Sequence, residues 1–218
     1  MQNTATFTAV SNQSSSNQSS CPAPPDCPRL MPTPPIPSVT EHSGIGTRCR
    51  RQTFRSGSVK GTALFSACSQ YRYRLTRTWG PAAHVVFIGL NPSTADAAQD
   101  DPTIRRCAAF ARSWGFDGLI MLNAWAFRST QPRDLLLTPD PNGPRNDHVI
   151  RRTCRTAPLI IAAWGNHCHP DRQRQLLQLT GPLHCLARNR NGQPAHPLYL
   201  KSSLQPQRWS LSSTDSGH

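Results

Sequence analysis

An amide, two hydroxyls and a carboxylate share one short loop at Asn91, Ser93, Thr94 and Asp96, directly after the apolar run HVVFI that begins at His84. Side chains of these types in one loop can orient a ligand or a water and accept a proton, so Asn91 and Asp96 are candidates for catalytic work. Each also has a plainer role: Asn-Pro opens turns, and at least one of Asp96, Asp100 and Asp101 must cap the helix that follows. Gly89 would let the backbone approach a ligand, and Pro92 would stiffen the loop. Three later segments repeat the pattern of an apolar run that breaks into a polar turn. These turns hold Asn123 with Phe127 and Arg128, then Gly165–Asn166–His167, then Arg188 through His196 and Tyr199. Asn123 ends its run, where a buried amide needs partners, so a structural hydrogen bond competes with a ligand role. His196 stands in a turn between Ala195 and Pro197, either as a site histidine or as a packed one. Arg128, Arg188 and Arg190 belong to the same loops and are candidates for phosphate contacts.

Strands must deliver those turns. The apolar runs at residues 84–90, 118–124, 158–164 and 183–187 are short, bounded by turn residues and, in the first, rich in β-branched side chains, as suits strands buried on both faces. Between them lie helical stretches. DDPTIRRCAAFARSWGF has an acidic cap, Pro102 at the first helical position and Ile104, Cys107, Ala108 and Ala111 at helical spacing, with Arg105, Arg106 and Arg112 outward. A short helical turn is predicted after Pro132, a helix capped by Asn146, and another through Arg172–Leu179. Alternating strands and helices imply an α/β fold of three layers, a central four-stranded, mainly parallel sheet flanked by helices. Ligands bind such sheets at the carboxyl ends of the strands, where all four polar clusters would meet. Trp114 and Trp164 are expected to fill core.

Ahead of the first strand, GTALFSACSQYRYRLTRTWG reads as an edge hairpin or arm, with Arg72, Arg74 and Arg77 on one face that is either solvated or anion-binding. Residues 1–60 are dominated by Ser, Thr, Asn, Gln and Pro, too polar to offset the entropy of ordering, and read as a disordered tail. A docking role for that tail competes with a plain spacer or a start assigned too far upstream. Residues 61–210 then form one domain, and 211–218 a disordered end.

The chain of 218 residues is strongly basic, with 24 Lys+Arg against 11 Asp+Glu and a formal net charge of +13, almost all of it arginine. That balance points to a nucleic acid or a nucleotide as partner, although a GC-rich genome also raises arginine. The 8 cysteines are scattered, without a CxxC pair or a secretory leader, so reduced thiols and a cytoplasmic protein are expected. No membrane partner is expected, since no run is long enough to span one. The neighbouring His167, Cys168 and His169 cannot readily converge on one ion, and no second pair has zinc-like spacing, so no metal, metal cluster or other cofactor is expected. A monomer is the expected state.

The four clusters, in order, resemble the uracil-DNA glycosylase superfamily. Gly89–Leu90–Asn91–Pro92 is similar to the proline turn of its mismatch-specific branch, Asn123 to the asparagine ending its second strand, LIIAAWGNH to its strand ending in Trp-Gly, and His196–Pro197–Leu198–Tyr199 to its late histidine motif. Tyr71 to about Leu200 more closely resembles a bacterial and phage family known as domain of unknown function 1643, through RYRL, LNPSTAD, DPT, WG and HPLYL. The glycosylase resemblance implies a similar fold. It also implies that Asn91 orients a water with Asp96 a candidate base, that Asn123 reads the base edge, and that His196 faces the departing base. Trp125, Phe127 and Tyr199 would stack or wedge if a base had to be flipped from a duplex. Ser93–Thr94 and Leu198 depart from the glycosylase motifs, and the cysteines do not match its iron–sulfur pattern. The expected function is therefore nucleic-acid or nucleotide processing, with hydrolysis of an N-glycosidic bond as the leading chemistry. Its rivals are a binding module without turnover and a hydrolase of free nucleosides or nucleotides.

Overall fold

The computed structural model describes residues 48–131 and 133–211. Its frame is a single mixed sheet of eight strands in the order β1-β2-β3-β5-β4-β6-β7-β8. The four anticipated strands are its middle: β4 (His84–Gly89), β5 (Gly118–Asn123), β6 (Ile160–Ala162) and β7 (Leu183–Cys185) run parallel to one another. Alternate residues of β4 feed two cores. Val85 and Phe87 pack with Ile104, Phe110 and Ala111 of α1 (Pro102–Ser113), whereas Val86 and Ile88 pack with Val149 and Ile150 of α3 (Asn146–Cys154) and Leu176 of α4 (Pro170–Thr180). A strand covered on both faces must be apolar throughout, which is why its sequence shows a continuous run.

The expectation of a four-stranded, mainly parallel sheet is corrected by four antiparallel additions. On one side β1 (Cys49–Ser56), β2 (Val59–Ser66) and β3 (Arg72–Thr78) form a meander whose last strand pairs with β5. On the other, β8 (Gln207–Trp209) pairs with β7, and its Trp209 packs edge-on against Trp164 at 5.2 Å. The boundary of the expected tail moves with them. Residues 49–60 are strand and turn, while residues 1–47 and 212–218 lie outside the described residues. β1 is mostly exposed and polar, so it has little apolar signal; backbone pairing holds it regardless of side chain. Its turn closes tightly between Ser56 and Val59, with Gly57 at φ +54°.

The arginines of β3 are not a shared surface. Arg77 is buried, donating to Asp100 Oδ1 (2.8 Å), Asp96 O (2.6 Å) and Gln99 O (3.2 Å), and Arg72 is buried, donating to Ala95 O (2.6 Å). Arg74 is half-buried. Positions five apart in a regular strand face opposite ways. The register shift opposite Leu64/Phe65 turns Arg72 and Arg77 toward the same loop, residues 95–100.

Helix starts agree with the sequence in one case and depart in another. Asp101 caps α1, its Oδ1 accepting from Ile104 N at 2.8 Å ahead of Pro102. Asn146 does not cap α3; it is buried, and its Nδ2 donates to Asn123 O (3.1 Å) and Ala124 O (3.2 Å). It braces the end of β5. The turn after Pro132 is α2 (Asp134–Leu137), and α4 begins at Pro170 behind a His169 cap. Among the described residues no helix is long and apolar enough to cross a membrane.

Candidate functional site

In the parallel part of the sheet, chain order reverses at β4, whose neighbours are β5 on one side and β6 on the other. A reversal of this kind splays the outgoing loops and leaves a crevice at the carboxyl ends of the strands. A cavity of about 510 Å³ occupies that place, within the usual range for small-ligand sites. Gly89, Asn91 and Ser93 follow β4; Asn123 ends β5; Gly165, Asn166 and His167 follow β6; His196 and Tyr199 follow β7. All of these line it.

The loops are tied together before any side chain is considered. Ala124 N donates to Gly89 O (2.8 Å), Trp125 N to Leu90 O (2.9 Å) and Gly165 N to Pro194 O (3.0 Å). Asn91 joins in: its Nδ2 donates to Ser129 O at 2.8 Å and Pro92 O at 3.3 Å, and Ser129 N donates to Pro92 O at 2.9 Å. Asn91 thus uses its nitrogen to hold the loop while also lining the cavity. Pro92 is buried in the loop and lines no part of the cavity.

Asn123 is 3% exposed, and its Nδ2 is buried with no hydrogen-bond partner. A β-carbon on Gly89 would come within 2.9 Å of Asn123 Oδ1, so the absent side chain at 89 makes room for this amide. An orphaned buried amide costs free energy unless something else satisfies it.

The carboxylate in the cavity is Asp101. Beyond its cap to Ile104 N, its Oδ2 accepts from the Ser93 hydroxyl at 2.7 Å. Asp96, the candidate base by sequence, lines no part of the cavity. Its Oδ1 accepts from Gln99 N (2.9 Å) and Ala98 N (2.8 Å), and those backbone bonds hold its pKa below the usual carboxylate range. It shapes the loop that Arg77 clamps.

His196 is half-buried, and its Nδ1 accepts from Leu198 N at 3.4 Å. Burial lowers its pKa, with Asp101 opposing in part. A neutral imidazole that accepts at Nδ1 carries its proton on Nε2, a donor that the local backbone does not use. Tyr199 is largely exposed at the rim.

Arg72 was not among the residues singled out by sequence for this site. It lines the cavity and is 2% exposed, and its guanidinium makes one hydrogen bond among the described residues, Nη1 to Ala95 O. Its Nε is buried without a partner. Burial lowers its pKa to about 10, the charge of Asp101 opposing, so the guanidinium stays cationic at neutral pH. Met121, Thr103, Ser129 and Asn189 also line the cavity. The signal for Arg72 was its place in RYRL; nothing local says that a strand two positions outside β4 reaches the crevice.

Other anticipated residues lie beside the cavity. Thr94, Phe127 and Arg128 line an adjoining groove that shares Ser93, Ser129 and Thr130 with it. The Arg128 guanidinium lies over the Phe65 ring at 5.1 Å and donates to Ser69 O at 3.3 Å. Arg188 donates to Arg208 O (3.1 Å) and Ser210 O (3.4 Å), pinning the chain of β8, and it lines no part of the cavity. The Arg128 Nε is buried without a hydrogen-bond partner. Trp125 belongs to a second hollow, of about 870 Å³, with the Arg172 guanidinium 5.0 Å from its ring centre. His167, Cys168 and His169 all border that second hollow; His167 also lines the cavity, Cys168 is buried and His169 caps α4. Among the described residues no three His, Cys, Asp or Glu side chains gather as a metal site.

The sequence profile of a protein family of unknown function, DUF1643, matches residues 72–198. No curated protein and no solved structure matches the chain. The matched stretch begins at Arg72 and takes in Asn91, Asp101, Asn123 and His196, leaving β1, β2 and β8 outside it.

Proposed function

The chain belongs to the DUF1643 family, and on that footing we propose that its cavity receives a nucleobase and that the protein hydrolyses the N-glycosidic bond joining that base to its sugar, in nucleic acid or nucleotide. The observation that carries this is Asn123: a buried amide whose nitrogen has no partner, at the end of a central strand, in a cavity large enough for a base. An amide matches the donor and acceptor edge of a base as few other side chains do. The likeness of the Gly89–Pro92 turn and the His196–Tyr199 motif to the uracil-DNA glycosylase superfamily supports the same reading.

The chemistry follows from the positions. The oxygen of a water attacks the anomeric carbon as the carbon–nitrogen bond breaks, and the base leaves with the bonding pair. Asn91 has its Oδ1 available to accept from that water, and Asp101, already bonded to Ser93, takes the role that the sequence suggested for Asp96. His196, neutral and carrying its proton on Nε2, donates to the base as negative charge develops on it. Little covalent work is asked of the protein; placement of the water and electrostatic support of the leaving group do most of it.

A base-binding module without turnover is the second reading. It is favoured by Asp96 standing outside the cavity and by both oxygens of Asp101 being engaged. The 6 described cysteines are all free thiols, which suits a reducing compartment such as the cytoplasm.

The test is release of free base from single- and double-stranded oligonucleotides bearing uracil and other altered bases, and from free nucleosides, by the full chain. Release that is lost in Asn91→Ala and in His196→Ala is the expected result. Tight binding of the same substrates with no release would establish the second reading instead.

A further inference from the structure

Arg72 is an unusual resident for a cavity wall. Its guanidinium carries five N–H donors and is buried, yet one carbonyl, Ala95 O, is its whole hydrogen-bonded company among the described residues. Among the described residues no carboxylate lies within ion-pair distance of it: Arg77 takes Asp100, Arg172 takes Asp147, and Asp101, bonded to Ser93 and Ile104 N, favours its charge only from further away. Buried cations are normally paired, because desolvation is otherwise uncompensated. Beside it, Asn123 leaves a buried nitrogen without an acceptor. Two side chains from adjacent strands, β3 and β5, thus bring unmet donors to one cavity.

We propose that Arg72 is the cationic contact of this cavity, pairing with a ligand oxygen that is negatively charged or becomes so as the base departs, with Asn123 as the neighbouring donor. This rests on the base-pocket reading above and adds to it a ligand class: heterocycles that are anions, or that leave as anions with the charge shared by an exocyclic oxygen. Amino-substituted neutral bases present donors where Arg72 also presents donors, and they are disfavoured. His196 supplies a neutral hydrogen bond; Arg72 supplies the charge. The planar fork of a guanidinium suits an oxygen flanked by a ring nitrogen, since it can offer parallel N–H groups.

The test is calorimetric binding of four free heterocycles to the full chain at neutral pH: urate and orotate, which are anions, and adenine and cytosine, which are neutral. The anions are expected to bind at least about tenfold more tightly than the neutral bases. In Arg72→Met that preference is expected to fall to within about threefold, in Arg72→Lys to survive in reduced form, and in Arg55→Met, which removes an exposed charge on the edge strand β1, to be unchanged. Thermal melts of each variant show whether it folds. A preference for anions is the quantity to read, because a merely structural Arg72 would weaken all four ligands alike.

Equal binding of adenine and urate by the unaltered protein overturns the proposal without any variant and leaves the base pocket standing. An anion preference that persists in Arg72→Met overturns it as well. Preference as expected, with no base released from any oligonucleotide, supports it while removing the hydrolytic reading. Failure of all four to bind overturns both.

Discussion

At the scale of single residues, the division of labour between two aspartates decides what the site can do. Asp96 and Asp101 belong to one loop and looked interchangeable by type. Backbone N–H groups of Ala98 and Gln99 claim the first, whereas the second caps α1 and still lines the cavity beside Ser93. Asp101→Asn keeps an oxygen for the cap and removes the charge, so base release should fall by about 100-fold or more while stability drops by less than about 1 kcal/mol. Asp96→Ala should do the reverse, costing about 1–2 kcal/mol in urea unfolding and leaving release within about threefold. Equal loss of release in both variants would return Asp96 to the site. That Asn91 and Asn123 border the cavity could be read from sequence because each ends or follows an apolar run, and His196 because it stands in the turn after the fourth run. Arg72 could not, since an arginine on an edge-like segment has the same local signature whether it meets solvent or a cavity.

At the scale of elements, the crevice depends on how the loop of residues 95–100 is pressed onto the antiparallel meander. Arg77 grips that loop from β3 by three hydrogen bonds, and β2 passes so close that a β-carbon on Gly61 would lie 2.0 Å from Ala97 O. Gly61→Ala must therefore push the loop off the sheet, with an expected loss of about 1–3 kcal/mol measured by urea unfolding. Because that loop leads into Asp101, the variant should also weaken binding of urate, the probe of the proposed base pocket. A Gly61→Ala protein of unchanged stability would mean that the loop yields freely. The four parallel strands were legible because burial on both faces demands unbroken apolar runs. β1 and β8 were not, because an edge strand needs only backbone partners and carries polar side chains outward, as the exposed Arg51 and Arg55 do.

At the scale of the whole molecule, the buried titratable groups bound the pH range of stability from both sides. His84 and His196 have pKa values lowered by burial, so the unfolded chain takes up protons first as pH falls below the ordinary 6.5, and stability declines from there downward. Cys154 and Cys168 are held as thiols up to about 12, so the unfolded chain loses protons first as pH rises past the ordinary 9.0, and stability declines from there upward. Urea midpoints under reducing conditions should show a plateau between about pH 7 and 8.5 with losses on either side. A midpoint that keeps rising to pH 10 would contradict the burial of those thiols. The amino-acid sequence alone determined the parallel core, the positions of its four turns and the cap at the start of α1, because periodicity, apolar runs and capping are written in neighbouring residues. Only the tertiary structure decided that the described residues form a sheet of eight strands, that Asp101 and not Asp96 lines the cavity, and that Arg72 lines it while Arg128 and Arg188 do not. Those outcomes turn on which distant carbonyl or loop a side chain meets, and such meetings are set by strand order and register, which no local stretch of sequence encodes.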